Sequence, residues 1–297
     1  MVLAFVHPRA ENRPGWLALQ QSLAEHGVEV ICHLSRWAGH TRELAREHLP
    51  LKGIALAVGG DGTFHELVNG WLDQEAPGRP RFLPIPHGTG NDFIRSVWPG
   101  REEQLVKAIV EPRERDFDLG KITYQTPQGR RSRYFLVGAT VGFSASVTEF
   151  MGKLPRILPG TPLYLFSLVV SLLTWVNRRA RFSVDSHEIE SHRFFNLNVA
   201  NVRHYGGGMV SAPAAVADDG QLDPVLMELT KLGVIRAMPE NYRGRFERVS
   251  GVRQFRCSRL ALESPFRLPV QADGEFLGST PIEVEILPGA LPGLEVP

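Results

Sequence analysis

The chain of 297 residues is long enough for about two domains and can bury about three-quarters of its unfolded surface without disulfides or metals. With 43% apolar and 22% charged residues it is not a disordered chain, and 33 Lys plus Arg against 32 Asp plus Glu leave a net charge of +1. That balance supplies no whole-molecule attraction to nucleic acid or to an anionic bilayer, so any such attraction must be local. Two cysteines, Cys32 and Cys257, make no disulfide framework and suit a reducing interior as free thiols.

The N-terminus, MVLAFVHPRAENRPGW, has neither the basic start nor the long apolar stretch of a signal peptide. An apolar run at Val2–Val6 and a periodic stretch through Trp16, Leu17, Leu19 and Leu23 read as strand and helix. Val28–His33 reads as a strand and Arg42–Leu49 as a helix. Ile54–Val58 is an apolar strand running into glycines, followed by a helical pattern through Phe64, Leu67, Val68 and Trp71. Phe82–Pro86 is a further strand, and Asn91–Val97 a further helix. This alternation predicts a mostly parallel sheet with helices on both faces, which binds ligands at the carboxyl ends of its strands.

Beyond about residue 120 the texture changes to short β-rich runs: Tyr134–Val141, Arg181–Val184, Phe194–Asn201, Leu222–Leu229, Arg253–Leu262 and Ile282–Leu287. These predict an antiparallel β-rich second domain with few helices. The expected division is 1–125 and 126–297, at the turn Gln125-Thr126-Pro127-Gln128-Gly129. Leu163–Val176 is the one membrane-like stretch. As a helix its 14 residues reach roughly 21 Å against a hydrocarbon core of about 30 Å, so it is expected as a buried or interface-lying helix from Thr161-Pro162 to Asn177-Arg178-Arg179.

The strongest motif is Gly59-Gly60-Asp61-Gly62-Thr63-Phe64, delivered by a strand onto a helix start. Glycines let a phosphate approach the amides without a Cβ in the way, and the helix N-terminus adds N–H groups and a positive dipole end. Asp61 is expected to hold a cation or fix the loop, and Thr63 to cap the helix or donate to a phosphate oxygen. The alternative is a tight strand–helix turn with ordinary capping. A second glycine turn, Pro86-His87-Gly88-Thr89-Gly90-Asn91-Asp92-Phe93, also ends a strand and opens a helix, with Asn91 or Asp92 as its N-cap. Walker-type and Rossmann glycine patterns are absent.

In the second half, Ala217-Asp218-Asp219-Gly220-Gln221 is either an Asp-Gly turn or a hard-cation site. Asp273-Gly274-Glu275 is either a hairpin turn or a source of the carboxylate that takes a proton from a hydroxyl acceptor; on an extended backbone Asp273 and Glu275 share a face. His187-Glu188 with His192 lies in strand-like sequence and has the wrong spacing for a zinc helix. Arginines 243, 245, 248, 253, 256 and 259 form a local basic patch, read as a solvated face or a contact for lipid headgroups.

Together, GGDGT at 59–63, P-x-G-T-x-N-D-F at 86–93, DLG at 118–120, the glycine and acidic stretch at 207–223 and DGE at 273–275 resemble the diacylglycerol kinase catalytic-domain family, in its bacterial lipid-kinase branch related to sphingosine kinases. The resemblance covers nearly the whole chain. It implies an N-terminal α/β nucleotide-binding domain, a C-terminal antiparallel β-sandwich, and a site in the cleft between them. ATP would be held by Gly59, Gly60, Asp61, Gly62, Thr63, Phe64 and His65, with Thr89 and Ser35. Mg²⁺ would be held by Asp219 with the carbonyls of Val216 and Gln221, and Glu275 or Asp273 would accept the proton. The family's first loop opens with Asn-Pro, where this chain has His7-Pro8-Arg9-Ala10.

The function expected is therefore transfer of the γ-phosphoryl group of ATP to a lipid hydroxyl such as that of diacylglycerol. A kinase of a soluble metabolite such as NAD, or a non-catalytic nucleotide-binding module, are the alternatives. The corresponding partners are a lipid substrate at a membrane surface and no nucleic acid, with peripheral contact and no transmembrane span. A homodimer fits these expectations, as does a cytoplasmic location at the inner membrane face.

Overall fold

The structure is a computed structural model; it describes residues 1–49, 52–74, 78–100, 102–154, 160–185 and 187–297. The chain forms two compact units. The first comprises Met1–Leu119, Ala217–Asp219 and Pro288–Pro297, the second Gly120–Val216 and Gly220–Leu287.

In the first unit, strands and helices alternate: β1 (Val2–Val6), α1 (Pro14–Glu25), β2 (Val30–Leu34), α2 (His40–His48), β3 (Ile54–Gly59), α3 (Asp61–Leu72), β4 (Arg81–Pro86), α4 (Asp92–Val97) and α5 (Leu105–Val110). The strands are parallel in the order β4-β3-β1-β2. Every residue of β1 is buried, as the unbroken apolar run requires of a strand covered on both faces, whereas β2 is an exposed edge that carries the free, exposed Cys32. Phe64, Phe93, Trp98 and Phe117 pack edge to face at 5.3–6.1 Å and tie α3 and α4 to the start of β5 (Glu114–Thr126).

The second unit continues with the end of β5, then β6 (Gly129–Phe135), β7 (Gly138–Gly142), α6 (Phe143–Lys153), α7 (Gly160–Thr174), β8 (Arg178–Val184), β9 (His187–Phe194), β10 (Asn196–Ala200), β11 (Asp223–Met227), α8 (Lys231–Tyr242), β12 (Val252–Gln254), β13 (Arg259–Glu263), β14 (Pro269–Ala272) and β15 (Glu275–Leu294). The order β12-β11-β10-β7-β14-β15 is antiparallel, with β5, β6, β8, β9 and β13 building the facing layer. Alternate residues of these strands, among them Val141, Leu197, Val199, Val270 and Ala272, fill the core between the layers, which also buries Cys257. A second apolar cluster, with Phe143, Val147, Phe195 and Ala237, lies under α6 and α8 on the opposite face of the sheet. The molecule is thus a parallel α/β domain followed by a β-sandwich-like domain.

Three expectations are corrected. The turn at 125–129 is the tip of the β5–β6 hairpin, and the compact units divide instead at Leu119/Gly120, within β5. The first unit also takes back residues 217–219 and 288–297, which a single cut cannot express. The second unit carries α6 and α8 where only strands and one helix were expected: the apolar run through Val147 stops being a strand at Gly142 (φ +111°) and turns into α6. Among the described residues, no helix is long and apolar enough to cross a membrane.

Candidate active site

The two glycine turns emerge from neighbouring strands, because β3 and β4 pair in register from Ile54↔Arg81 to Gly59↔Pro86. Their backbones touch. A Cβ on Gly88 would overlap Gly60 itself, so no other residue fits there without a backbone shift, and a Cβ on Gly60 would press on the Gly88 Cα at 3.0 Å. Asp61 locks this contact: its carboxylate accepts the Asp92 N–H at 2.9 Å and the Phe93 N–H at 3.2 Å, the first amides of α4. The N-cap of α4 is therefore a carboxylate 31 residues upstream, and neither Asn91 nor Asp92 plays that part. Asn91 closes its own turn, accepting from the Gly88 N–H and donating to the Gly88 carbonyl. Helix α3 starts behind Gly60 with no side-chain cap, so Thr63 does not serve as one.

These turns line a cavity of about 480 Å³ in the first unit, together with Ser35, Thr63 and Thr89. Ser35 is buried, its N–H bonded to the Val6 carbonyl. Phe64 and His65 of the expected nucleotide set do not line it: both are buried, Phe64 against Phe93 and His65 beside Asn69. Sequence reading missed the cavity's other wall. His7, Pro8, Arg9 and Arg13 line it from the first loop, Arg36 and Trp37 from the segment after β2, and His87 from the second glycine turn. Burial, then the charge of Arg9, holds His7 below the usual histidine range; burial, then Arg13, does the same to His87. Trp37 is exposed and stacks on His40 with ring centroids 3.9 Å apart, an aromatic face at the rim. Three arginines against the single carboxylate of Glu66, around glycine amides and a helix N-terminus, make the lining suited to an anion, and the close-packed glycine backbone suits a phosphate chain.

In the second unit Asp273 and Gly274 both have positive φ (+46° and +85°), and they form the two-residue turn between β14 and β15 with Ala272 opposite Glu275. The expectation that Asp273 and Glu275 share an extended face is therefore corrected. The Asp273 carboxylate is turned onto the backbone. It accepts the N–H groups of Leu136, Val137 and Gly138 at 2.8, 2.9 and 3.0 Å, while its own N–H donates to the Gly138 carbonyl. Glu275, half-buried, begins β15 beyond the turn. Asp273 thus positions the turn, and the Glu275 carboxylate is the one the turn's backbone does not engage through these three amides.

The residues expected to hold Mg²⁺ lie together in the segment 216–221. Asp219 is exposed, and its neighbour Asp218 is occupied by Arg115 at 2.9 Å. One carboxylate with backbone carbonyls is an all-oxygen donor set, which fits a hard divalent cation that keeps several waters. Asp118 of the DLG motif is buried and accepts the Gly289 N–H at 2.8 Å, which makes it a tie within the first unit. The arginines read as a basic patch are largely neutralised: Arg243 pairs with Glu240, Arg253 with Glu228, Arg256 with Asp223 and Arg259 with Glu285.

Comparison with known proteins agrees with this two-domain fold. Residues 1–122 match the diacylglycerol kinase catalytic domain, and residues 138–294 match the YegS C-terminal NAD kinase beta sandwich-like domain. A Bacillus subtilis (strain 168) protein named "Putative lipid kinase YtlR" is 28% identical over 96% of this chain and 96% of its own. Among solved structures, a "putative diacylglycerol kinase" from Bacillus anthracis str. Sterne superposes with a TM-score of 0.76 at 21% identity, covering 100% of this chain and 97% of that one. An NAD kinase from Archaeoglobus fulgidus, solved in complex with ATP, has a TM-score of 0.54 at 16% identity, covering 100% of this chain and 94% of that one. These last two likenesses are of fold. With both domains matched along nearly its whole length, the chain belongs to the diacylglycerol kinase catalytic-domain family, in its YegS-like lipid-kinase branch.

Proposed function

We propose that the protein transfers the γ-phosphoryl group of ATP, with Mg²⁺, to the hydroxyl of a lipid acceptor such as diacylglycerol. The observation that carries this reading is the pair of glycine turns fixed back to back by Asp61. Phosphoryl transfer is mostly positioning and charge neutralisation, and a rigid amide cradle ringed by Arg9, Arg13 and Arg36 supplies both. Gly59, Gly60, Gly62, Thr63, Thr89 and Ser35 would bind the nucleotide, with Trp37 as a stacking face for its base. Asp61 acts through the geometry it imposes. Asp219, with the Val216 and Gln221 carbonyls, would hold the cation, which neutralises charge on the phosphate oxygens when bound. Glu275 takes the proton from the acceptor hydroxyl as the new P–O bond forms and the terminal P–O bond of the nucleotide breaks.

The lipid side of the reading rests on α7. Its inward residues include Ser167 and Ser171, while Tyr164, Leu165, Phe166, Val169 and Leu173 are exposed, the reverse of a helix in a water-soluble surface. Such a face suits contact with acyl chains at a bilayer surface. The test is purified protein with Mg²⁺, labelled ATP and micelles of a lipid panel, run beside NAD. Labelled phospholipid product supports the reading; label on NAD, or on no acceptor at all, overturns it.

A further inference from the structure

The strands under the Asp273-Gly274 turn carry a row of buried polar side chains on the face opposite the sandwich core. Thr140 on β7 is opposite Asn198 on β10 and Gln271 on β14. Their neighbours Ala139, Val141, Leu197, Val199, Val270 and Ala272 point into the core, so the alternation of a strand sends these three the other way. Gln271 is fully committed. Its Oε1 accepts the Gly274 N–H at 2.7 Å, and its Nε2 donates to the Thr140 hydroxyl at 2.8 Å and to the Tyr205 hydroxyl. The row therefore begins at the turn that carries Glu275.

It ends at Asn198, which is 1% exposed and whose Oδ1 and Nδ2 have no hydrogen-bond partner among the described residues. A buried carboxamide left this way forfeits the hydrogen bonds it made to water, and native structures keep few of them. Gly138, whose φ is unremarkable, explains where the amide faces: a Cβ there would stand 3.2 Å from the Asn198 Oδ1. Gly138 is also the residue whose N–H and C=O both bond to Asp273. Asn198 thus opens onto the backbone that the acidic turn grips. Tyr205 continues the row towards α7: burial holds its phenol protonated, and both Tyr164 and Asp273 lie close enough to act on its charge. Tyr164 heads the exposed apolar face of that helix.

We infer that Asn198 is a specificity-determining residue, whose Nδ2 donates to a carbonyl oxygen next to the phosphorylated hydroxyl of an ester-bearing lipid acceptor. The inference rests on the lipid-kinase reading. A site built to hydrogen-bond a substrate group rejects an analogue lacking it, because the buried protein group is then left unpaired. The acceptor pair that isolates this contact is 1,2-dioctanoylglycerol and its ether analogue 1,2-dioctylglycerol, which keeps the hydroxyl and chains but has no carbonyl.

Wild-type protein is expected to prefer the ester at least tenfold in kcat/KM. In Asn198→Leu, close in volume and without a polar atom, the preference falls to threefold or less, chiefly through KM for the ester, and Tm is unchanged or higher. Gly138→Ala, which presses a methyl on the Oδ1, is expected to lower the preference in the same direction and serves if the leucine variant does not fold. A wild type without ester preference, or variants that fold and keep it, overturns the inference and leaves the kinase reading intact. If neither lipid is phosphorylated while NAD or no acceptor is, both fall together.

Discussion

At the scale of single residues, the two members of the acidic turn do different work, and substitution separates them. Asp273 accepts three backbone N–H groups, so removing its carboxylate leaves several buried donors unpaired. Asp273→Ala is expected to lower stability by about 2–4 kcal/mol, read by denaturant unfolding of the second unit's signal. Glu275→Gln keeps the side chain's shape and is expected to leave stability within about 0.5 kcal/mol while lowering kcat by roughly 10²–10⁴-fold, with KM for ATP little changed. Full activity in that variant removes Glu275 from the chemistry. His7 and His87 supply a second residue-level test. Both pKa values lie below the ordinary histidine range, held there by burial and then by Arg9 and Arg13, so the folded protein binds fewer protons here than a free histidine would. The unfolded chain then binds more protons, and stability falls as pH drops below about 6.5 and through the lowered values. A bound triphosphate pulls the other way, since a nearby negative charge favours imidazolium. Nucleotide binding in the histidine titration range should take up protons, measured by titration calorimetry in buffers of different ionisation enthalpy. Release of protons would mean that the phosphates bind away from this wall.

At the scale of elements, the first unit was legible because each strand is an unbroken apolar run ending in a turn signal, and each helix shows its own period. Asp61's role was not: it caps a helix 31 residues away, and no local pattern encodes a partner at that separation. The wall formed by Arg9, Arg13, Arg36 and Trp37 was hidden for the same reason, since it gathers exposed residues from two loops that only the sheet brings together. In the second unit, α8 was masked by Gly233 and Pro239, both poor helix formers, and its one local signal is Thr230, whose hydroxyl caps the Gly233 N–H at 3.1 Å. The odd helix is α7, which sequence identified by apolarity but whose faces it could not assign. Leu163, Ser167 and Ser171 are buried at i, i+4 and i+8, and the greasier residues are left outside. Replacing Leu165, Phe166 and Val169 together by serine is expected to cost less stability than a core substitution, because each of these side chains is half exposed. The same variant should lose at least about tenfold of its turnover on long-chain diacylglycerol in vesicles, given roughly 1.5–3 kcal/mol for burying each large apolar side chain. Unchanged activity on vesicles would mean that this face meets something other than lipid.

At the scale of the whole molecule, the charge balance decides what kind of force can hold the protein at a membrane. A net charge of +1, with most arginines of the 243–259 stretch paired to carboxylates, leaves little cationic surface for anionic headgroups, each of which would contribute about 1 kcal/mol per unpaired Lys or Arg. Arg9, Arg13 and Arg36 line the first unit's cavity, where a triphosphate would occupy them. Apolar contact through α7 would then be the dominant attraction at a bilayer, and apolar contact is not weakened by salt, whereas headgroup electrostatics decays within a Debye length of about 10 Å at 0.1 M and 3 Å at 1 M. Partition onto vesicles, measured by flotation, should therefore change less than about twofold between 0.1 M and 0.5 M NaCl, and should differ little between neutral and anionic vesicles. The α7 serine variant should abolish it at both salt concentrations. A steep loss of binding with salt would instead assign docking to the arginines, and would require their ion pairs to open when the protein meets the bilayer.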